Sequence, residues 1–107
     1  MAFRTPISRV RSVTEMVMIA ITPIPPTISA IEEMAHQVLR LHRLTDLAAG
    51  TTINVGLARG GTRRNVVAAE AVAEIDLRVA TLAEADRIVP LITGLTPVLP
   101  GAIVRVT

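Results

Sequence analysis

Residues Thr52 to Ala80 read TINVGLARGGTRRNVVAAEAVAEIDLRVA, and the alternation within them decides the fold. From Ala69 to Ala80, the residues Ala71, Ala73, Ile75, Leu77 and Val79 fall on one side of an extended chain. Glu70, Glu74, Asp76 and Arg78 fall on the other. Successive side chains of a strand point to opposite faces, so this pattern predicts a strand with one buried and one wet face. Thr52 to Arg59 alternates in the same way, with Ile53, Val55 and Leu57 expected on the buried side and Asn54, Gly56 and Ala58 opposite. The intervening Gly60-Gly61-Thr62-Arg63-Arg64-Asn65 is loop-like, which makes the two strands an antiparallel pair.

Working outward, helical signals flank this pair. Ser29-Ala30-Ile31-Glu32 fits a capping box, and Ile31, Met34, Ala35, Val38 and either Leu41 or His42 recur at helical spacing. The spacing predicts a helix from Ser29 to about Leu44, with Gly50 closing the turn that follows. Thr81-Leu82-Ala83-Glu84 opens a second helix whose apolar stripe is Ala85, Ile88, Val89 and Ile92. Pro90 is expected to kink or shorten it, and Gly94 to cap it. Ala102 to Val106 reads as a short last strand. Ser12 to Ile21 supplies a first strand, before Pro23, Pro25 and Pro26 force an extended connection. The order is (β)αββαβ, an α+β, ferredoxin-like arrangement of a four-stranded antiparallel sheet with two helices on one face. Composition divides the chain into an N-terminal segment, residues 1–27, holding one strand plus the Pro-rich connection, and a domain over residues 28–107.

Composition narrows the chemistry. The chain of 107 residues has room for one domain, and half of them are apolar. A chain of this size buries roughly 60–70% of its extended-chain surface on folding, enough to need no covalent staple. All 11 basic residues are Arg, and with 9 acids the net charge is +2, too small to argue for a nucleic-acid partner. There is no Cys, Trp or Tyr, and Phe3 is the one aromatic residue. Disulfide scaffolds, thiolate metal sites and cysteine nucleophiles are excluded, and base-stacking platforms for single-stranded nucleic acid or RNA lack their rings. No apolar run reaches the roughly 20 residues of a membrane span. Arg4, Arg9 and Arg11 precede the apolar run Met16 to Ile21, but that run is shorter than a signal peptide's usual 7–15 residues, so a cytoplasmic location is expected.

Few residues invite catalysis. His36 and His42 lie about 240° apart around a helix and cannot share a metal from one face. Glu32 and Glu33 sit in a first helical turn, where acids favour the helix dipole. Gly60-Gly61 lacks the spacing of a phosphate loop and reads as a turn. Arg63 and Arg64 read as a solvated loop, and Arg78, beside Asp76, as a surface ion pair worth about 0–1 kcal/mol.

Other stretches carry a resemblance. They are Ser29-Ala30-Ile31-Glu32-Glu33-Met34-Ala35, Gly50-Thr51-Thr52-Ile53-Asn54-Val55-Gly56 and Arg59-Gly60-Gly61-Thr62. Asn65-Val66-Val67, Ala73-Glu74-Ile75-Asp76-Leu77-Arg78 and Pro97-Val98-Leu99-Pro100-Gly101 complete the set. In that order and spacing, residues from about Ile28 to Thr107 resemble the dimerisation (lid) domain of M20 metallopeptidases and amidohydrolases, the glutamate carboxypeptidase family. The resemblance implies the same ferredoxin-like fold, a homodimer contact through an edge strand and adjacent helix, and two substrate-binding residues, Asn65 and Arg78, with Arg78 on the substrate's carboxylate. In that family the two-zinc site, its ligands and its general base belong to a separate catalytic domain. The resemblance therefore implies no catalytic residue, metal site or cofactor in this chain, and no hydrolysis by it alone. Ala68 stands where the family has Pro, and between Ser12 and Ile28 there is neither His nor Gly where the family carries a His-Ala-Gly-like motif. We expect residues 1–27 to derive from a shifted reading frame or a truncated gene start. The competing expectation is a stand-alone ferredoxin-like regulatory module binding a small carboxylate.

Overall fold

The computed structural model describes residues 13–107. The expected order of elements is present: β1 (Val13–Ile21), α1 (Ala30–His42), β2 (Thr52–Gly60), β3 (Ala71–Val79), α2 (Leu82–Thr93) and β4 (Val104–Val106). The strands form one antiparallel sheet in the order β2-β3-β1-β4, with both helices on one face, and the fold is α+β and ferredoxin-like as expected. Residues 1–12 lie outside the described range. β1 runs between β3 and β4 in the sheet.

The inward faces of the strands supply most of the core. Val17, Ile19 and Ile21 from β1, Ile53 from β2, and Ala71, Ala73, Ile75, Leu77 and Val79 from β3 are all buried. Register sets Val17 against Ile75, Ile19 against Ala73 and Ile53 against Leu77, so apolar pairs run across three strands. Ala30, Met34 and Leu41 of α1 and Ala85, Ile88 and Ile92 of α2 close over them. A core without rings, built from branched and small side chains, fills its volume through this interdigitation.

Both helices begin where expected. Ser29 Oγ accepts from Glu32 N (3.2 Å), and Thr81 Oγ1 accepts from Glu84 N (3.1 Å). The Glu84 side chain is used differently from a capping box: its carboxylate accepts from Thr51 Oγ1 (2.8 Å) and from Arg87, tying α2 to the start of β2. Pro90 does not shorten α2, which continues to Thr93. Pro90 and Asp86, whose carbonyl loses its helical donor, are both exposed, so water can replace the missing bond. Gly50 takes a left-handed φ of +81° in the turn before β2, against the methyl of Ala80, where a side chain would collide.

One polar anchor crosses the molecule. Glu33 is fully buried, and its carboxylate accepts from Val98 N (2.9 Å), Leu99 N (2.7 Å) and Gln37 Nε2 (2.8 Å). Gln37 Nε2 and Arg40 Nη1 both donate to Thr96 O, so α1 fastens the whole connection between α2 and β4. Burial raises the pKa of Glu33, but donation from Leu99, Gln37 and Val98 and the charge of His36 outweigh it, leaving the carboxyl below its ordinary 4.5. A carboxyl depressed in the folded state stabilises the fold above the unfolded value of 4.5 and loses that contribution as pH falls through its folded value. Glu33→Ala strands these donors and should cost about 2–4 kcal/mol at neutral pH in urea unfolding. The gap between the parent chain and this variant should close as the pH is taken below 4.5.

Candidate substrate clamp and pairing edge

Arg78 is the next-to-last residue of β3, and its side chain stands on the helix-free face of the sheet. Backbone register places it between Thr14 of β1 and Thr52 of β2. Its Nε donates to Asp76 Oδ2 at 2.9 Å, and the two side chains are 63% and 43% exposed, so water screens the pair. Only Nε is engaged among the described residues, which leaves the two Nη groups of the guanidinium fork available to a carboxylate. Such a bidentate grip is what the resemblance requires of this residue.

Asn65 lies elsewhere. It is exposed in the loop that joins β2 to β3, on the wall of a cleft of about 700 Å³ together with Ser29, Ile31, Arg63 and Arg64. Gly61, with φ +80°, turns the chain into this loop. Gly60 pairs with Ala71 at the loop end of the β2–β3 ladder, whereas Thr52 pairs with Arg78 at the other end. Seven residue steps along β3 separate the two ends, about 23 Å at the usual rise. One copy of the chain therefore does not bring Asn65 and Arg78 to the same small molecule.

The third feature is the outer edge of β2, and here the structure corrects the expected alternation. Register slips at a β-bulge between Val55 and Leu57. Beyond it Ala58 faces the helices, and Leu57, expected on the buried side, is instead 59% exposed on the open face opposite Glu74. One extra residue in a strand reverses the facing of everything after it.

The same edge is partly closed. Before the bulge, Thr51 exchanges both backbone hydrogen bonds with Asp46. Ile53 N donates to Thr45 Oγ1 (3.0 Å), and the Thr45 hydroxyl donates back to Ile53 O (3.3 Å). Val55 N donates to Nε2 of His42 (3.2 Å). The segment 42–46 thus covers the outward amides of the first half of β2 and the carbonyls of Thr51 and Ile53. After the bulge, Gly61 N donates to Glu70 O, so backbone groups alternate to leave those of Ala58 and Gly60 pointing outward. They have no partner among the described residues. Beside this open half runs an apolar groove of about 670 Å³ between α1 and β2, lined by Ile31, Met34, Ala35, Val38 and Leu39. Ile31 and Leu39 are 49% and 55% exposed. Neither His42 nor Thr45 stands out in the sequence, since their role depends on where a loop returns to the sheet.

Among the described residues, no three His, Cys, Asp or Glu side chains are grouped to hold a metal ion, and no helix is long and apolar enough to cross a membrane. Glu33 is committed to backbone amides, and His42 to the edge of β2.

Comparison with known proteins bears on these features together. The sequence model of the family described as peptidase dimerisation domain, M20 type, matches residues 25–95. No curated protein sequence matches the chain. Among solved structures, the chain is similar to the YXEP protein of Bacillus subtilis, a dinuclear metal-binding peptidase of the M20 family, with TM-score 0.67 and 18% identity over 92% of this chain and 26% of that one. It is also similar to an aminobenzoyl-glutamate utilization protein of Klebsiella pneumoniae, with TM-score 0.64 and 20% identity over 87% of this chain and 26% of that one. A hydantoinase/carbamoylase family amidase of Burkholderia ambifaria gives TM-score 0.65 and 18% identity over 90% and 27%. The chain thus spans about a quarter of the length of each. An exposed ion pair contributes little to folding, so Arg78→Ala should shift unfolding free energy by less than about 1 kcal/mol in urea titration. A larger loss would mark Arg78 as structural.

Proposed function

Because the chain belongs to the M20 peptidase dimerisation domain family, we propose that it forms a homodimer through β2 and α1, and that Asn65 and Arg78 clamp substrate in a whole peptidase or amidohydrolase. Cleavage of a peptide or N-acyl amino acid amide bond belongs, on this reading, to a separate zinc-bearing catalytic domain. The observation that carries the reading is the half-open edge of β2 beside an apolar groove, because unpaired strand amides next to exposed Ile31 and Leu39 suit a second copy of the same surface.

Pairing also gives the separated clamp residues a common place. Two β2 edges meeting antiparallel reverse the ladder. The loop carrying Asn65 in one copy then lies beside the end that carries Arg78 of the partner subunit. Two interstrand spacings, about 10 Å, divide β2 of one copy from β3 of the other. That is within the span of a small peptide or acyl-amino acid held at both ends. Asn65 would hydrogen-bond the amide region, and Arg78 would hold the carboxylate in two parallel bonds.

Light scattering on the purified chain at tens of micromolar should give a dimer, and a strict monomer would count against the proposal. Calorimetric titration with N-acyl amino acids should give no measurable heat of binding, because the opposing catalytic wall is missing. Tight binding of such a carboxylate by the isolated chain would instead favour the regulatory-module reading.

A further inference from the structure

We infer that the segment 42–46 is a guard that fixes the register of self-pairing, confining the second copy to the post-bulge half of β2 with the two-fold axis at Ala58. The inference rests on the self-association proposed above and goes beyond it by naming which backbone groups pair and what prevents the others.

The outward groups divide sharply. Both outward groups of Thr51 and Ile53 are satisfied by Asp46 and Thr45, and the amide of Val55 by His42, so an incoming strand would have to displace all of these contacts. Ala58 and Gly60 need no such displacement. Antiparallel pairing through them permits three nearby registers that differ in what meets Arg59. If Gly60 pairs with Gly60 of the partner subunit, Arg59 faces Gly61 of the partner subunit, which has no side chain to cover the arginine and turns out of the strand with φ +80°. If Ala58 pairs with Gly60 of the partner subunit, Arg59 faces Arg59 of the partner subunit directly, and like charges opposite one another on a sheet are destabilising. If Ala58 pairs with Ala58 of the partner subunit, Arg59 faces Leu57 of the partner subunit, whose exposed side chain can cover the arginine stem. Glu74, which pairs with Leu57 in the ladder, then lies one strand further on the same open face. Arg59 meets its own Glu74 at 3.9 Å across one interstrand spacing, and the partner's Glu74 would stand two spacings away, about 10 Å, which extended Arg and Glu side chains can span together. Charge complementarity therefore selects the axis at Ala58. The helix-side neighbours agree: the apolar groove of α1 lies directly over Ala58 and Gly60, so two copies would bring Ile31, Ala35 and Leu39 together across the same axis.

Single-cysteine cross-linking reads this register, since the chain has no cysteine of its own. Residues that exchange both backbone bonds stand about 5.5 Å apart at Cα, within disulfide range. Under mild oxidation the A58C chain should give about tenfold more covalent dimer than R59C or N54C. Preferential cross-linking through R59C or N54C in a chain that dimerises by light scattering would overturn the inference while leaving dimerisation intact. A strictly monomeric chain would remove both. Ala58→Pro deletes an outward amide that its own sheet does not use, so the variant should remain folded by circular dichroism and self-associate at least about tenfold more weakly. Unchanged association would count against Ala58 as the pairing point. Removing the guard with His42→Ala and Thr45→Ala should make N54C cross-linking appear, and its continued absence in that background would overturn the guarding role.

Discussion

The backbone pairing of β3 with strands on both sides is the constraint from which the other features follow. Its nine residues, Ala71–Val79, are hydrogen-bonded to β1 along one edge and β2 along the other. A strand held on both edges cannot rotate about its axis, so its alternation becomes a fixed division of side chains. Five small or branched residues enter the core, while Glu74, Asp76 and Arg78 line the face that carries no helix. Arg78 keeps its exposure not through any contact of its own but because Leu77 and Val79, on either side of it, are locked inward. An arginine placed this way contributes little to stability and keeps both Nη groups open to a ligand.

The edge of β2 depends on a second, weaker constraint. The bulge after Val55 changes which residues face which way, and it also separates two stretches of edge with opposite fates. Before it, a helix end and a loop reach across to satisfy the outward amides; beyond it, the edge is bare and bordered by apolar side chains. Exposed strand edges invite uncontrolled pairing, and covering part of an edge is one way to limit it. The anchor at Glu33 works on the opposite side of α1, where it fixes the loop ahead of β4. The helix that borders the apolar groove is therefore held from behind by buried hydrogen bonds.

Much of this was legible in the sequence, and the reasons are local. Strict alternation in Ala71–Val79 and the cap residues Ser29 and Thr81 report on their own neighbourhoods, and those elements lie within one or two residues of where they were expected. The facing of Leu57 was not legible, because nothing in TINVGLAR distinguishes a regular strand from one with an extra residue after Val55; the ladder with β3 decides it. Glu33 reads as an ordinary first-turn acid because its partners, Val98 and Leu99, are more than sixty residues away and donate through backbone atoms that have no sequence signature. The contacts that His42 and Thr45 make with the edge of β2 were not legible for the same reason. As for the clamp, Asn65 and Arg78 could be named through resemblance, but their separation along the ladder required the register.

That separation bears on what the domain can do unaided. An arginine fork on a carboxylate gives about 1.5–3 kcal/mol per charged hydrogen bond at most, while holding a free ligand costs an estimated 4–15 kcal/mol in lost translation and rotation before anything is gained. Arg78 lies on an open, wet face, where screening reduces even that gain. A binding site needs further contacts converging on the same ligand from other directions, and within one copy Asn65 is at the far end of the hairpin. The described residues place Asn65 and Arg78 at opposite ends of one ladder, leave half of the β2 edge unpaired, and leave one sheet face without a helix. On the proposed reading, association would supply the convergence that one copy lacks.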